Sequence, residues 1–154
     1  MANYLNAADV ISTAVEIETR GHEFYKQAAE QAQQPQDKEF FLFMAQEENK
    51  HKALFSDMLK RVGGTTIPAG ATDDEYIDYV RNLIDSHCLF MDDQQAALAT
   101  NPFKQAIQFE KDTILFFQAV ESLVPESEQK FIRQCADEER SHILLIAKQM
   151  KESS

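Results

Sequence analysis

The sequence predicts an all-α fold: four long helices, paired as two antiparallel hairpins and joined by a long middle connection that carries an extra short helix. Three observations lead there. Apolar residues recur at helical spacing along most of the chain. Only four Gly and four Pro occur in 154 residues, too few breakers for a many-turned β fold. The two halves also repeat each other, each being two amphipathic segments folded about a short turn that contains Pro.

In chain order, Asn6 is placed to cap the first helix, with Asp9 in the first turn, where a negative charge suits the helix dipole. Val10, Ala14, Ile17, Gly21, Phe24, Tyr25 and Ala28 then recur on one face until about Gln33, before Pro35. A second helix runs over about residues 36–62, with Phe40, Phe41, Met44, Leu54, Met58 and Leu59 in its apolar pattern, and Gly63-Gly64 stops it. Residues 65–71 read as a loop. Thr72 followed by Glu75 forms a capping box that opens a shorter helix to about Ile84. A turn and a short helix near 93–99 follow. Asn101-Pro102 reads as a cap followed by Pro at the first helical position. The third long helix extends to about Val124, Pro125 breaks it, and the fourth covers about 126–150, leaving 151–154 as a frayed tail. One domain, 1–154, therefore holds hairpins at about 7–62 and 102–150 with the connection 63–101 between them.

The net charge of −11 argues against nucleic acid, whose phosphates call for Lys and Arg. It suits a protein that gathers carboxylates around hard cations, and equally a merely soluble acidic surface. Cys88 and Cys135 form no C-x-x-C, so neither a disulfide framework nor a Cys-rich metal site is expected. Two isolated cysteines fit a reducing cytoplasm. No signal peptide is read at the start, and no apolar run approaches the roughly 20 residues of a membrane helix.

The repeat carries chemistry. Ala14-Val-Glu-Ile-Glu18 lines up with Ala106-Ile-Gln-Phe-Glu110, and Phe24-Tyr25 with Phe116-Phe117. Ala45-Gln-Glu-Glu-Asn-Lys-His51 lines up with Ala136-Asp-Glu-Glu-Arg-Ser-His142. Glu18 to Glu48 is 30 positions and Glu110 to Glu139 is 29. Glu110 and Glu139 lie 15 before and 14 after Pro125, nearly level across an antiparallel hairpin. For Glu18 and Glu48 the offsets from Pro35 are 17 and 13, a mismatch of about one helical turn that a slightly earlier loop reduces. Glu48/His51 and Glu139/His142 are i, i+3 pairs, so each projects from one helix face. Packing the hairpins together would converge Glu18, Glu48, Glu110, Glu139, His51 and His142 on the core. Four carboxylates can neutralise and bridge two divalent cations. One imidazole per metal suits iron or manganese better than magnesium. One Glu-x-x-His is a weak signal; two, each with a matched upstream glutamate, are a strong one.

At these residues the sequence resembles the rubrerythrin-like branch of the ferritin-like superfamily, whose bundles take one Glu from each of two helices and Glu-x-x-His from each of the others. The resemblance covers most of residues 7–150, and includes the pattern E-x6-Y from Glu18 to Tyr25 and E-x6-F from Glu110 to Phe117. It implies a ferritin-like four-helix bundle with a non-haem di-iron site (manganese or a mixed pair being alternatives) that reacts with hydrogen peroxide or dioxygen. It also implies that Tyr25 sits beside the centre and hydrogen-bonds a ligand carboxylate. Departures narrow the implication. No paired-cysteine rubredoxin domain is present, so electrons would come from a separate donor such as a rubredoxin or reductase. Rubrerythrins carry an extra glutamate one turn after the third-helix ligand; Thr113 stands there, and the remaining set looks more like the ferroxidase centre of bacterioferritins. The haem-binding methionine of those proteins is replaced by Asn49, so no haem is implied.

Other candidates have plainer readings. His22, one turn from Glu18, pairs with Ile114 in the repeat and reads as a partly buried, hydrogen-bonded histidine. Glu121 reads as a helix-end surface residue, with an ion entry path as its alternative. Glu16, Glu47 and Glu138, about 100° round from the ligands, read as facing solvent or a neighbouring helix. His87 and Cys88 match no ligand spacing. The runs Phe40-Phe41-Leu42-Phe43 and Leu115-Phe116-Phe117 read as core, and are wide enough to include a homodimer face. The function expected is a di-iron oxidoreductase reducing peroxide or dioxygen. Its alternatives are a ferroxidase coupled to iron storage or delivery, and a metal-free bundle.

Overall fold

Residues 6–63, 74–90 and 101–153 are described by the structure, a computed structural model. Asn6 caps α1 (Ala7–Gln31) through a reciprocal capping box with Asp9, at 2.8 and 3.0 Å. Pro35 occupies the first turn of α2 (Pro35–Val62), where a missing N–H costs nothing. The helix stops at Gly63, whose φ of +48° suits a residue without Cβ. The extra helix α3 (Asp74–Asp85) is present in the middle segment, followed by a 3₁₀ turn at Cys88–Phe90. Thr72, the loop 65–71 and the short helix read at 93–99 lie outside the described residues. Asn101 caps α4 (Pro102–Val120), its side-chain oxygen accepting from the N–H groups of Phe103 and Lys104. α4 ends four residues before the expected Val124, because its last turn tightens into a 3₁₀ segment, Glu121–Leu123.

The expected frayed tail is overturned. α5 runs Glu126–Ser153, and its end is tied to the start of α2. Ser153 Oγ and Gln149 Nε2 donate to the two oxygens of the nearly buried Asp37, at 2.5 and 2.9 Å. Gln34 Nε2 adds a bond to the Ser153 carbonyl at 3.3 Å, so the last turn is held at both side chain and backbone.

α1 packs along α2 and α4 along α5; the hairpins meet through α2–α5 and α1–α4. Arg61 of α2 makes a two-pronged bond to Glu128 of α5 at 2.8 and 2.9 Å. α3 lies on α4, with Val80 buried and the Tyr76 hydroxyl donating to the Ala119 carbonyl. Phe24, Tyr25, Phe41, Phe55, Phe109, Phe116 and Phe117 fill the interior. The aromatic runs are not core throughout: Leu42, Phe43 and Leu115 are exposed, since consecutive helical residues cannot all face inward.

The turn between α1 and α2 spans residues 32–34, earlier than Pro35. Glu18 and Glu48 each lie 15 residues from its middle residue, Gln33, so the apparent one-turn mismatch disappears.

Candidate metal centre

Each long helix delivers its glutamate to one level of the bundle. Glu18 comes from α1, Glu48 from α2, Glu110 from α4 and Glu139 from α5, all four fully buried. His51 and His142, one turn further along α2 and α5, are nearly as buried, their rings stacked with centroids 5.8 Å apart. The six residues therefore come together, in two overlapping groups. Glu18, Glu48, His51 and Glu139 offer ligand atoms within 4.8 Å of one another, and so do Glu48, Glu110, Glu139 and His142. Glu48 and Glu139 belong to both groups.

Gly21 makes this convergence sterically possible. A Cβ there would lie 2.5 Å from the Phe109 ring and 3.2 Å from Glu48 Oε2. Only a bare α-carbon lets α1 approach both at once.

The electrostatics are those of a site with excess anionic donors. Burial, followed by the charge of Glu139, pushes Glu18, Glu48 and Glu110 well above the ordinary carboxylate range. Burial acts on Glu139 in the same sense, but hydrogen bonds from His142 and His51, at 2.7 and 3.0 Å, hold it well below that range. Burial would lower both imidazoles, yet the Glu139 contact of His51, and the Glu110 and Glu139 contacts of His142, outweigh it and raise each to about 11. Both oxygens of Glu18, both of Glu48 and Glu110 Oε2 are buried and accept no hydrogen bond. Leaving carboxyl oxygens desolvated and without hydrogen bonds is expensive. Hard or borderline cations are the partners that this donor set fits, and the residues present suit a pair of them.

Tyr25 is fully buried and donates from its hydroxyl to Glu110 Oε1 at 2.6 Å. Burial and the Glu110 charge raise its pKa well above the ordinary value, so it remains a phenolic donor. His22 is half-buried and bonded to the Ala45 carbonyl at 2.9 Å, as its plainer reading expects. Glu121 pairs with Arg133 at 2.8 Å at the helix end. Thr113 is buried, its hydroxyl 3.0 Å from His87 Nε2.

Glu138 was expected to face solvent or a neighbouring helix, and it does face a neighbour, with a consequence that its position in the sequence does not reveal. Its Oε2 lies 2.5 Å from His51 Nε2 while His51 Nδ1 faces Glu139 and, at 3.6 Å, Glu18. A carboxylate on the outer nitrogen fixes ring orientation and leaves the inner nitrogen for ligation. Only the packing of α2 on α5 brings these two together. Its counterpart Glu47 pairs with Lys50 instead. Both histidines line a groove of about 480 Å³ between α2 and α5, whose rim includes Phe43, Leu54 and Leu145.

Four helices carrying carboxylates and two Glu-x-x-His pairs to one buried level define a ferritin-like carboxylate bundle. A crystal structure of a Thermotoga maritima protein, described as a ferritin-like diiron-carboxylate protein, has the same fold: TM-score 0.68, 20% identity, and all of both chains covered. The family model for rubrerythrin matches residues 9–96, more than half of the sequence, and the chain belongs to the rubrerythrin family. No curated protein matches the sequence. The family and the buried carboxylate–histidine cluster fit a di-iron protein.

Proposed function

We propose that the protein is a non-haem di-iron oxidoreductase of the rubrerythrin type, which reduces hydrogen peroxide or dioxygen. The observation that carries this is the pair of overlapping ligand groups with shared Glu48 and Glu139, in which five buried carboxyl oxygens accept no hydrogen bond. Glu18 and His51 would hold one ion, Glu110 and His142 the other, and Glu48 and Glu139 would bridge them. When bound as ferrous ions, the pair supplies the two electrons that, with two protons, convert one peroxide to two waters. The chain's own residues do the rest. Tyr25 holds the Glu110 carboxylate in place, and Glu138 holds the His51 ring. Phe24, Phe41 and Phe109 pack around Tyr25 and keep bulk water from that flank. The groove between α2 and α5 admits a small oxidant to the histidine edge. Electrons are restored by a separate donor, a rubredoxin-like protein or a reductase.

A ferroxidase that stores or delivers iron is the second reading. It is favoured by Thr113, which leaves α4 with no further carboxylate one turn beyond Glu110. The exposed Leu42 and Phe43 on α2, and Leu144 and Leu145 on α5, support a homodimer. Among the described residues, no helix is long and apolar enough to cross a membrane.

Anaerobic ferrous titration followed by stopped-flow mixing with peroxide or dioxygen tests the proposal. Stoichiometric binding and faster oxidation by peroxide are expected. Absence of stoichiometric binding removes the site assignment. Faster oxidation by dioxygen in a hollow multi-subunit shell selects the storage reading instead. Elemental analysis of the purified protein distinguishes iron from manganese.

A further inference from the structure

Away from the bundle centre, His87, Cys88 and Asp112 also come together, one ligand atom of each lying within 4.8 Å of the other two. His87 and Cys88 sit where the end of α3 passes into the 3₁₀ turn, and Asp112 projects from α4. No local motif joins them; 24 residues separate Cys88 from Asp112. We propose that these three side chains form a second, mononuclear metal site, for a borderline-soft divalent cation of the zinc class. The proposal does not rest on the di-iron reading.

The donor chemistry is selective. Imidazole, thiolate and carboxylate together favour zinc-like ions, whereas magnesium and calcium take all-oxygen sets. Three protein ligands leave a fourth position for water, as in open zinc sites.

The surroundings already orient the donors. Gln108 Nε2 donates to Asp112 Oδ1 at 2.8 Å and the Cys88 backbone N–H to Oδ2 at 3.0 Å. Each carboxylate oxygen keeps a second lone pair for a metal. His87 is 1% exposed, its ring set edge-on against Phe90 and Phe109 at 5.5 and 5.6 Å. Its Nε2 is 3.0 Å from Thr113 Oγ1, a hydrogen bond that fixes the orientation of the ring. Closing the triad from within 4.8 Å to the roughly 3.5 Å edge of a tetrahedral zinc site takes no more than about an ångström of donor movement. Cys88 and Asp112 are only half-buried and have that freedom. On ligation the Cys88 thiol proton passes to solvent, because the bound form is the thiolate.

Titration of the full chain with Co²⁺, followed by thiolate-to-cobalt charge-transfer absorption, tests the site. The band is expected in the wild type and in Cys135→Ser, and is expected to vanish in Cys88→Ser. Gln108→Ala should weaken binding about tenfold, as loss of an outer-sphere partner does. A wild type without the band overturns the proposal. So does a band that survives Cys88→Ser and is lost in Cys135→Ser, since the thiolate would then lie in the bundle, where buried Cys135 sits. Alkylation is the second measurement: Zn²⁺ should slow labelling of half-buried Cys88 at least about tenfold. An unchanged labelling rate overturns the site even if a variant misfolds.

Discussion

In the first hairpin, Glu18 lies with both carboxylate oxygens accepting no hydrogen bond; in the second, its counterpart Glu110 accepts one from Tyr25 at 2.6 Å. The histidines differ the other way. His51 of the first hairpin is held on its outer nitrogen by Glu138, whereas Glu47, the residue that repeats Glu138, turns to Lys50. Each hairpin thus lends its support to the other: Tyr25 crosses to Glu110, and Glu138 crosses to His51. The duplicated pattern supplies equal ligands, while the single copies of Tyr25 and of the Glu138 contact make the two halves of the centre unequal. Neither hairpin completes a half alone, because Glu139 joins the Glu18–His51 group and Glu48 joins the Glu110–His142 group.

The largest expected effect comes from removing what the halves share. Glu48→Gln or Glu139→Gln should bring bound metal close to zero by elemental analysis, whereas Glu18→Gln or Glu110→Gln should retain about half. Equal losses in all four would mean that the halves do not bind separately. Next comes the close approach that serves both halves. Gly21→Ala places a methyl against Phe109 and should destabilise the fold by about 1–3 kcal/mol, read as a lower urea midpoint.

The unequal supports give smaller, opposed effects. Glu138→Gln should weaken metal affinity about tenfold or more, confined to one of two binding phases in a calorimetric titration, while Glu47→Gln should leave both phases in place. Tyr25→Phe should weaken the other phase by a similar factor; if both variants touch the same phase, the cross-support is wrong. The smallest effect is on stability without metal. Glu18→Gln removes a desolvated acidic group that accepts no hydrogen bond and should raise the metal-free thermal midpoint by a few degrees, roughly the 2–4 °C that 1 kcal/mol gives at this size.

Much of this was legible beforehand because it is local or periodic. Apolar recurrence set the four long helices, Asn6 and Asn101 marked two starts, and the doubled Glu-x-x-His with its upstream glutamates gave the six residues that the fold brings together. Local signals misled where a distant partner decides. The tail past 150 looked unsupported, and Asp37 in the first turn of α2, with Gln34 just before it, ties the tail down. The Phe40–Phe43 run looked like core, and the helix rotation leaves Leu42 and Phe43 outside.

What the sequence determined by itself is therefore the class of chemistry: helix periodicity places i, i+3 donors on one face, and a repeat makes two such faces meet. The family resemblance implied that Tyr25 bonds a ligand carboxylate; which carboxylate it meets, and which neighbours tune the other donors, was decided by tertiary structure. Glu138 on His51, Tyr25 on Glu110, and Asp112 beside His87 and Cys88 each join residues far apart in the chain. The depth and rotation of one helix against another set those contacts, and no spacing within a single helix encodes them.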